Sequence, residues 1–326
     1  MRISYLLAGV AAVALTSAAA PAETLRLGHV AQPGSLIGAT ADHFAEVANA
    51  KLDGTGYDVE AFGASQLGND SELLQKLKLG QVHFSIPSSI MSSVADAFGV
   101  FEMPYIIQSR EHMMAVEAEI LDDVLQPAVQ AEGYRILGIW ENGFRHITNN
   151  VRPIETPADL EGVKLRTPRG EWRVKMFQTY GANPTPMAFS EVFTALQTGV
   201  IDGQENPYAQ IASAKFHEVQ DYLSITGHVY TPAYLLAGER TFSGLPEEVQ
   251  QILVDAAKET QGFVYEEAAR LEEELLGVIE GAGVAVNEAD KQAFIDASGP
   301  IYDEFASGIE GGDELIARVQ SVAPTD

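Results

Sequence analysis

Residues 57–89, "YDVEAFGASQLGNDSELLQKLKLGQVHFSIPSS", change their hydrophobic period twice. Tyr57 to Phe62 alternates apolar and polar, the mark of a strand covered on one face. Asp70 to Leu79 reads as a helix, stopped by Gly80, a residue suited to the left-handed turn that ends helices. Val82 to Ile86 is a second strand. A strand, a helix and a strand in close succession form the unit that builds parallel sheets. Upstream, Thr24 to His29 (TLRLGH) is another period-2 strand and Leu36 to Lys51 another amphipathic helix, so the series runs β-α-β-α-β. Sheets of this kind bind ligands beyond the carboxyl ends of their strands. His29, Gly63-Ala64 and Pro87-Ser88-Ser89 are therefore candidate cleft positions.

Downstream, a second unit begins near Arg145. Thr156, Pro157 and Asp159 open a helix that Gly162 stops after about one turn. Val163 to Thr167 is a strand, and Glu171 to Tyr180 a helix stopped by Gly181. Ser190 to Thr198 is another helix, capped by Ser190 and ended by Gly199. Val229 to Thr241 is apolar and long enough to run back into the first unit. From Pro246 to about Gly281 few breakers interrupt a dense Glu/Ala/Leu pattern, which predicts one helix about 50 Å long. The expectation is an α/β protein of two lobes joined by more than one crossing. Residues 23–143 with about 231–270 would form the first domain, and 144–230 with part of the C-terminal region the second. Residues 246–281 would be the spanning helix and 282–326 a C-terminal helical segment.

Residues 1–22 read as a segment outside the fold. Arg2 precedes an apolar run from Tyr5 to Leu15, too short to span a bilayer, and Ala20-Pro21-Ala22 is a small-residue cleavage site. The pattern predicts export to the periplasm with cleavage after about Ala22, and no direct membrane insertion. The chain has no cysteine, hence neither a disulfide framework nor thiolate chemistry. It carries 20 Lys and Arg against 46 Asp and Glu, a formal net charge of -26. A field of that sign repels nucleic acid and anionic membrane surfaces, so neither is an expected partner.

Signatures of catalysis are missing: there is no G-x-S-x-G, no H-E-x-x-H and no phosphate-binding G-x-x-x-x-G-K-[ST]. The seven histidines are dispersed, and the carboxylates fall mostly where a solvated helix face would put them. No enzyme activity, metal or cofactor is expected.

Three stretches ask for more than a structural explanation. WENGFRHITNN (140–150) sets Arg145 in a strand among aromatic residues, where it either faces solvent or serves a site. GVKLRTPRGEWRVKMF (162–177) holds five of the 20 basic residues: Lys164, Arg166, Arg169, Arg173 and Lys175. Lys164 and Arg166 share one face of a strand, and Pro168 leaves Arg166 at its carboxyl end, where ligands collect. Arginine's planar fork gives a carboxylate two parallel charge-assisted hydrogen bonds. Arg173 and Lys175 are expected to be solvated helix charges, with Glu171 and Lys175 an i,i+4 pair, and Lys164 to pair with a neighbouring carboxylate. PTPMAFSEVFTALQTGVIDGQENP (184–207) ends in polar residues on rigid backbone, because Pro207 restricts Asn206 to extended geometry.

Together with LRLGHV (25–30), FGASQLGND (62–70), FEMPYII (101–107) and the long helix after LPEEVQ, these stretches resemble the solute receptors of tripartite ATP-independent periplasmic (TRAP) transporters, the DctP-type substrate-binding proteins. The resemblance covers nearly the whole chain after residue 22. It implies a periplasmic binding protein fold, two α/β domains around a ligand cleft. Such a receptor closes on an organic acid and delivers it to a small and a large membrane permease subunit. It also implies that Arg166 makes the bidentate bond to the substrate carboxylate and that Arg145 supports or joins it. Phe189 would pack on the substrate, and Asn206 would hydrogen-bond near the carboxylate. The implied selectivity positions are His29, Ser88-Ser89, Arg169, Trp172 and the stretch from His228 to Tyr234. Ser88 and Met91 stand where some sialic-acid receptors carry a glutamate and an arginine, so sialic acid is not expected. The set Ser88, Ser89, Asn206 and His29 fits a hydroxylated monocarboxylate such as a sugar acid. Trp172, Tyr230 and Tyr234 would suit an aromatic acid, and Arg145, Arg169 or Lys164 could meet the second group of a C4-dicarboxylate. An ABC-type periplasmic binding protein is the remaining alternative.

Overall fold

The computed structural model describes residues 22–324; the leader expected at 1–22, Ala22 apart, lies outside the described residues. The strands are β1 (Glu23–Gly28), β2 (Tyr57–Phe62), β3 (Phe84–Ser85), β4 (Tyr134–Phe144), β5 (His146–Asn149), β6 (Lys164–Thr167), β7 (Asn183–Pro186), β8 (Gly203–Asn206), β9 (Tyr222–Ile225), β10 (Tyr230–Gly238) and β11 (Ala285–Glu288). They form two sheets, ordered β2-β1-β3-β10-β4 and β11-β9-β5-β8-β6-β7. In the first, β1 pairs in parallel with both β2 and β3, as the alternating series requires, and β10 returns antiparallel between β3 and β4. In the second, β6 pairs in parallel with β7 and β8, while β5 runs antiparallel to β8 and β9.

Local chemistry fixes the elements nearest the cleft. Helix Asp70–Leu79 starts in a capping box: the Glu72 N–H donates to Asn69 Oδ1 (3.1 Å) and the Asn69 N–H donates to Glu72 Oε2 (2.9 Å). Gly80 closes it in the left-handed region, at φ 69°. The helix expected from Ser190 begins instead at Phe189. The Ala188 N–H is met by the Glu191 carboxylate (3.1 Å), which leaves Ser190 inside the first turn and not as its cap. Four strands of the second sheet, β7, β8, β9 and β11, were hidden in the sequence. Prolines 184 and 186 mask β7, which tolerates them because it lies at the sheet edge. The segment after 281 is not wholly helical: β11 joins the second sheet in parallel with β9 before three short helices follow.

Pro246 precedes the helix Glu247–Gly281, whose 35 residues span about 52 Å. Near its start, Val249, Leu253, Ala256 and Ala257 pack with Leu25, Phe44, Phe84 and Trp140 in the core of the first lobe. Near its end, Ile279 packs with Val192, Leu196, Ile211 and Leu223 in the second. A third apolar cluster joins Phe98 and Phe101 to Trp172 and Phe177 and to Phe294 and Phe305 of the C-terminal helices. Arg145 is the one residue between β4 and β5, where the chain passes from the first sheet to the second.

Candidate functional site

A cleft of about 640 Å³ lies between the lobes. The first lobe contributes Ser88 and Ser89, just past β3, and Asp70 in the first turn of its helix. The second contributes Arg166 from β6, Asn206 from the end of β8, and Phe189 from a helix start.

Arg166 is buried, and both its Nε and Nη2 donate to the Met187 carbonyl oxygen (3.1 and 2.7 Å). That carbonyl occupies one edge of the fork. Nη1 and the second hydrogen of Nη2 form the other edge. Among the described residues no carboxylate comes within ion-pair distance of it. Burial brings the Arg166 guanidinium down to about 10, against the pull of Glu205 and Asp70. A buried cation without a contacting anion is costly, and here it borders a cleft.

Arg145 is differently placed. Its Nε donates to Glu205 Oε2 (2.5 Å), and its Nη2 donates to Glu205 Oε1 (2.9 Å) and to the Glu205 carbonyl (2.6 Å). Its fork is thus held by a protein carboxylate, although the residue also borders the cleft. Glu205 contacts Arg173 as well (2.6 Å), and Arg173 in turn contacts Glu102 of the first lobe (2.7 Å). Burial alone would raise the Glu205 carboxyl, but Arg145 and Arg173 hold it far below the usual range. Glu102, for which desolvation outweighs Arg173 and Arg145, is pushed up. His228 completes the cluster, its Nε2 3.1 Å from Glu205 and its Nδ1 2.7 Å from Thr226 Oγ1. Burial lowers it to about 4, so its ring is neutral and donates to Glu205 from Nε2.

Asn206 is oriented by a polar relay. Its Nδ2 donates to Gln204 Oε1 (2.6 Å), and the Gln204 amide donates to Thr148 Oγ1 (2.9 Å). Phe189 lies half-buried at the cleft wall, its ring edge against Phe216. Arg169 also borders the cleft and is exposed. Asp70 faces the same space, and burial raises it to about 6 against the attraction of Arg166.

Arg166, Arg145, Asn206, Phe189, Ser88 and Arg169 therefore meet at one cleft, and four other expected residues do not line it. His29 follows β1 but tucks beneath Gly63, where an added Cβ would stand 2.7 Å from its Cε1; burial lowers it to about 4. Trp172 packs edge-on against Phe305 and over Gly99, inside the third cluster. Tyr234 packs between Phe98 and Phe101, and the Tyr230 hydroxyl donates to Glu141 (3.2 Å). Both tyrosines thus turn into the core on one face of β10. The expectation for Arg173 is corrected too: it is a buried bridge between carboxylates, not a solvated helix charge. Lys175 does pair with Glu171 (2.5 Å), and also with Glu304. Lys164 is exposed, and its backbone N–H, not its ammonium, meets a carboxylate, Asp202 (2.8 Å).

The sequence reading passed over Asp70, Asn142 and Gln210, all at the cleft; it placed Glu205 only among the polar residues before Pro207, without its role as the anchor of Arg145. Gln210 had a visible signal, a polar residue one helical turn beyond the QENP backbone lock.

Two lobes around a cleft that presents a buried arginine define a binding protein of the bilobal type. The chain belongs to the bacterial extracellular solute-binding protein family 7 (DctP), whose model matches residues 27–308. This is a family of solute-binding proteins of transport, and relatives such as the C4-dicarboxylate-binding protein DctP of Rhodobacter capsulatus are periplasmic. A solute-binding protein of Roseobacter denitrificans, RD1_1052, is 39% identical over 303 residues, 90% of this chain and 92% of that one. The crystal structure under that designation, with bound L-galactonate, superposes with a TM-score of 0.85 at 34% identity, over 93% of this chain and 99% of that chain. The sugar acid binding protein DctPAm of Advenella mimigardefordensis, in complex with galactonate, gives 0.88 at 31% identity, over 93% and 99%. A TRAP solute-binding protein of Sulfurospirillum deleyianum with bound succinate gives 0.87 at 32%, over 92% and 99%.

Proposed function

We propose that this chain is the periplasmic receptor of a TRAP transporter. It captures a hydroxylated monocarboxylate, a sugar acid, through Arg166 and passes it unchanged to membrane permease subunits. The observation that carries the reading is Arg166 itself, a buried guanidinium with one edge on a backbone carbonyl and the other edge left for a planar anion. Arg145 has its Nε–Nη2 edge and its charge taken up by Glu205, and Asp70 adds a carboxylate to the same wall. These two features favour an acid with one carboxylate. The galactonate complexes of the relatives support a sugar acid. Arg169, exposed at the cleft, keeps a dicarboxylate as the second reading, in line with the succinate complex. The leader pattern of residues 1–22 supports export, and among the described residues no helix is long and apolar enough to cross a membrane.

Calorimetry with galactonate, erythronate, succinate and an aromatic acid tests this reading. One equivalent of a carboxylate should bind and be recovered unaltered. Arg166→Lys keeps the charge but loses the fork, and is expected to weaken binding roughly 10- to 100-fold. Binding by Arg166→Lys within about twofold of wild type removes the bidentate assignment.

A further inference from the structure

Gln210 borders the cleft, and the direction of its hydrogen bonds is imposed from outside. The Ser88 hydroxyl donates to the Pro232 carbonyl (2.7 Å) and the Thr231 hydroxyl to the Gly143 carbonyl (3.3 Å). With their hydrogens committed to backbone, both hydroxyl oxygens are left as acceptors. Asn142 Nδ2 donates to each of them, at 3.2 Å to Ser88 Oγ and 3.3 Å to Thr231 Oγ1. An amide that turns both N–H groups one way turns its oxygen the other way. Asn142 Oδ1 accordingly accepts from Gln210 Nε2 (3.2 Å). The same logic then applies to Gln210. Its nitrogen is held by Asn142, so its Oε1 is the atom left over, buried and without a partner among the described residues. The relay joins Ser88 of the first lobe, Asn142 of β4 and Gln210 in the second-lobe helix Tyr208–Ser213. It presents an acceptor, not a donor, at the cleft wall.

We propose that Gln210 is a specificity-determining residue whose Oε1 accepts a hydrogen bond from a hydroxyl group of the bound acid. A hydroxyl at that position satisfies the buried oxygen, whereas a carboxylate oxygen would set one acceptor against another. Asp70, on the same cleft, is a second acceptor and opposes a second negative charge. The inference rests on Arg166 as the carboxylate anchor, and it assigns the selection of hydroxylated over unhydroxylated acids to Gln210.

Calorimetry on the full mature chain tests it with galactonate, erythronate and succinate. Wild type should bind at least one of the hydroxylated acids roughly tenfold or more tighter than succinate. Gln210→Leu, close in size but without an acceptor, should lose about tenfold or more for that hydroxylated acid and change succinate by less than about twofold. Gln210→Met serves if the leucine variant melts well below wild type. Wild type preferring succinate, a Gln210 variant that binds the hydroxylated acid within twofold, or equal losses for both acid classes would each overturn the inference while leaving the carboxylate receptor standing. Binding of no carboxylate by wild type removes the receptor reading, and the inference with it.

Discussion

Arg173 bridges Glu102 and Glu205 at 2.7 and 2.6 Å, with all three side chains buried. Removing one member of such a cluster leaves an uncompensated charge away from water. Arg173→Met is expected to lose about 3–5 kcal/mol in urea unfolding. Adding Glu102→Gln, which neutralises the carboxylate left without a contacting cation, should recover part of that loss. A single variant within about 0.5 kcal/mol of wild type shows that the cluster gives no net stability. Arg173 also marks how far single residues can be read from a chain. Arg166 was legible because a strand ending at Pro168 is a local pattern and places its last side chains at the ligand edge. Arg173 was not, because nothing within a few residues separates it from Lys175. Its partners come from β8 and from the first lobe, and only the packed fold brings them near. Gln210 stands between these cases, since its position was visible but the direction of its amide depends on carbonyls of Gly143 and Pro232.

At the scale of elements, β5 and β8 hold the cleft's second wall in register, and Gly203 is where they leave no room for a side chain. A Cβ there would stand 2.3 Å from the Thr148 carbonyl oxygen and 2.7 Å from Asn149 Cβ. Gly203→Ala must push the two strands apart, at a cost of about 1–3 kcal/mol. Because the same strand carries Glu205 and Asn206, ligand affinity should fall with stability, which chemical denaturation and calorimetry on one preparation can compare. Wild-type affinity in a destabilised variant would separate the strand register from the site. The elements best read in advance were those with an unbroken period: β1, β2, the helix Asp70–Leu79 and the long helix. Those missed, β7, β8, β9 and β11, are strands of four residues that draw their pairing from distant neighbours, and in β7 the prolines imitate a loop. Gly203 itself gave no sign of its role, since close approach of a second strand leaves no mark on a lone glycine.

The whole molecule responds to acid through groups that folding keeps from water. Burial lowers His29 and His228 to about 4 and His146 to about 3, from 6.5. Unfolded, these rings take up protons near pH 6.5; folded, they do so only at pH 4 or below. Acid therefore favours the unfolded chain, and the stability they contribute is lost as pH falls from about 6.5 towards 4. Asp70 acts in the opposite sense, since its raised value of about 6 lets the folded form hold a proton that the unfolded form releases. Taken alone, these four groups leave a net uptake of about two protons on unfolding near pH 5, or roughly 2–3 kcal/mol per pH unit. Glu102, Glu117 and Glu141, which burial also raises, act with Asp70 and make the slope shallower, whereas Glu205, held low by its arginines, acts with the histidines. Urea unfolding at pH 6.5, 5.5 and 4.5 measures that slope, and a flat profile contradicts it. The bilobal shape was legible from the sequence because it follows from two α/β series and one uninterrupted helix. The cleft's acceptors were not, being assembled from both lobes at once.

That helix also sets an order of events. A chain made from its first residue holds every strand of both sheets except β11 by Gly238, yet the segment that covers them comes later. All three apolar clusters include residues beyond 246: Leu253 and Val264 in the first lobe, Ile279 in the second, Phe294 and Phe305 in the third. The first three quarters of the polypeptide therefore hold cores that are begun but not closed, and the last quarter supplies the side chains that complete all three.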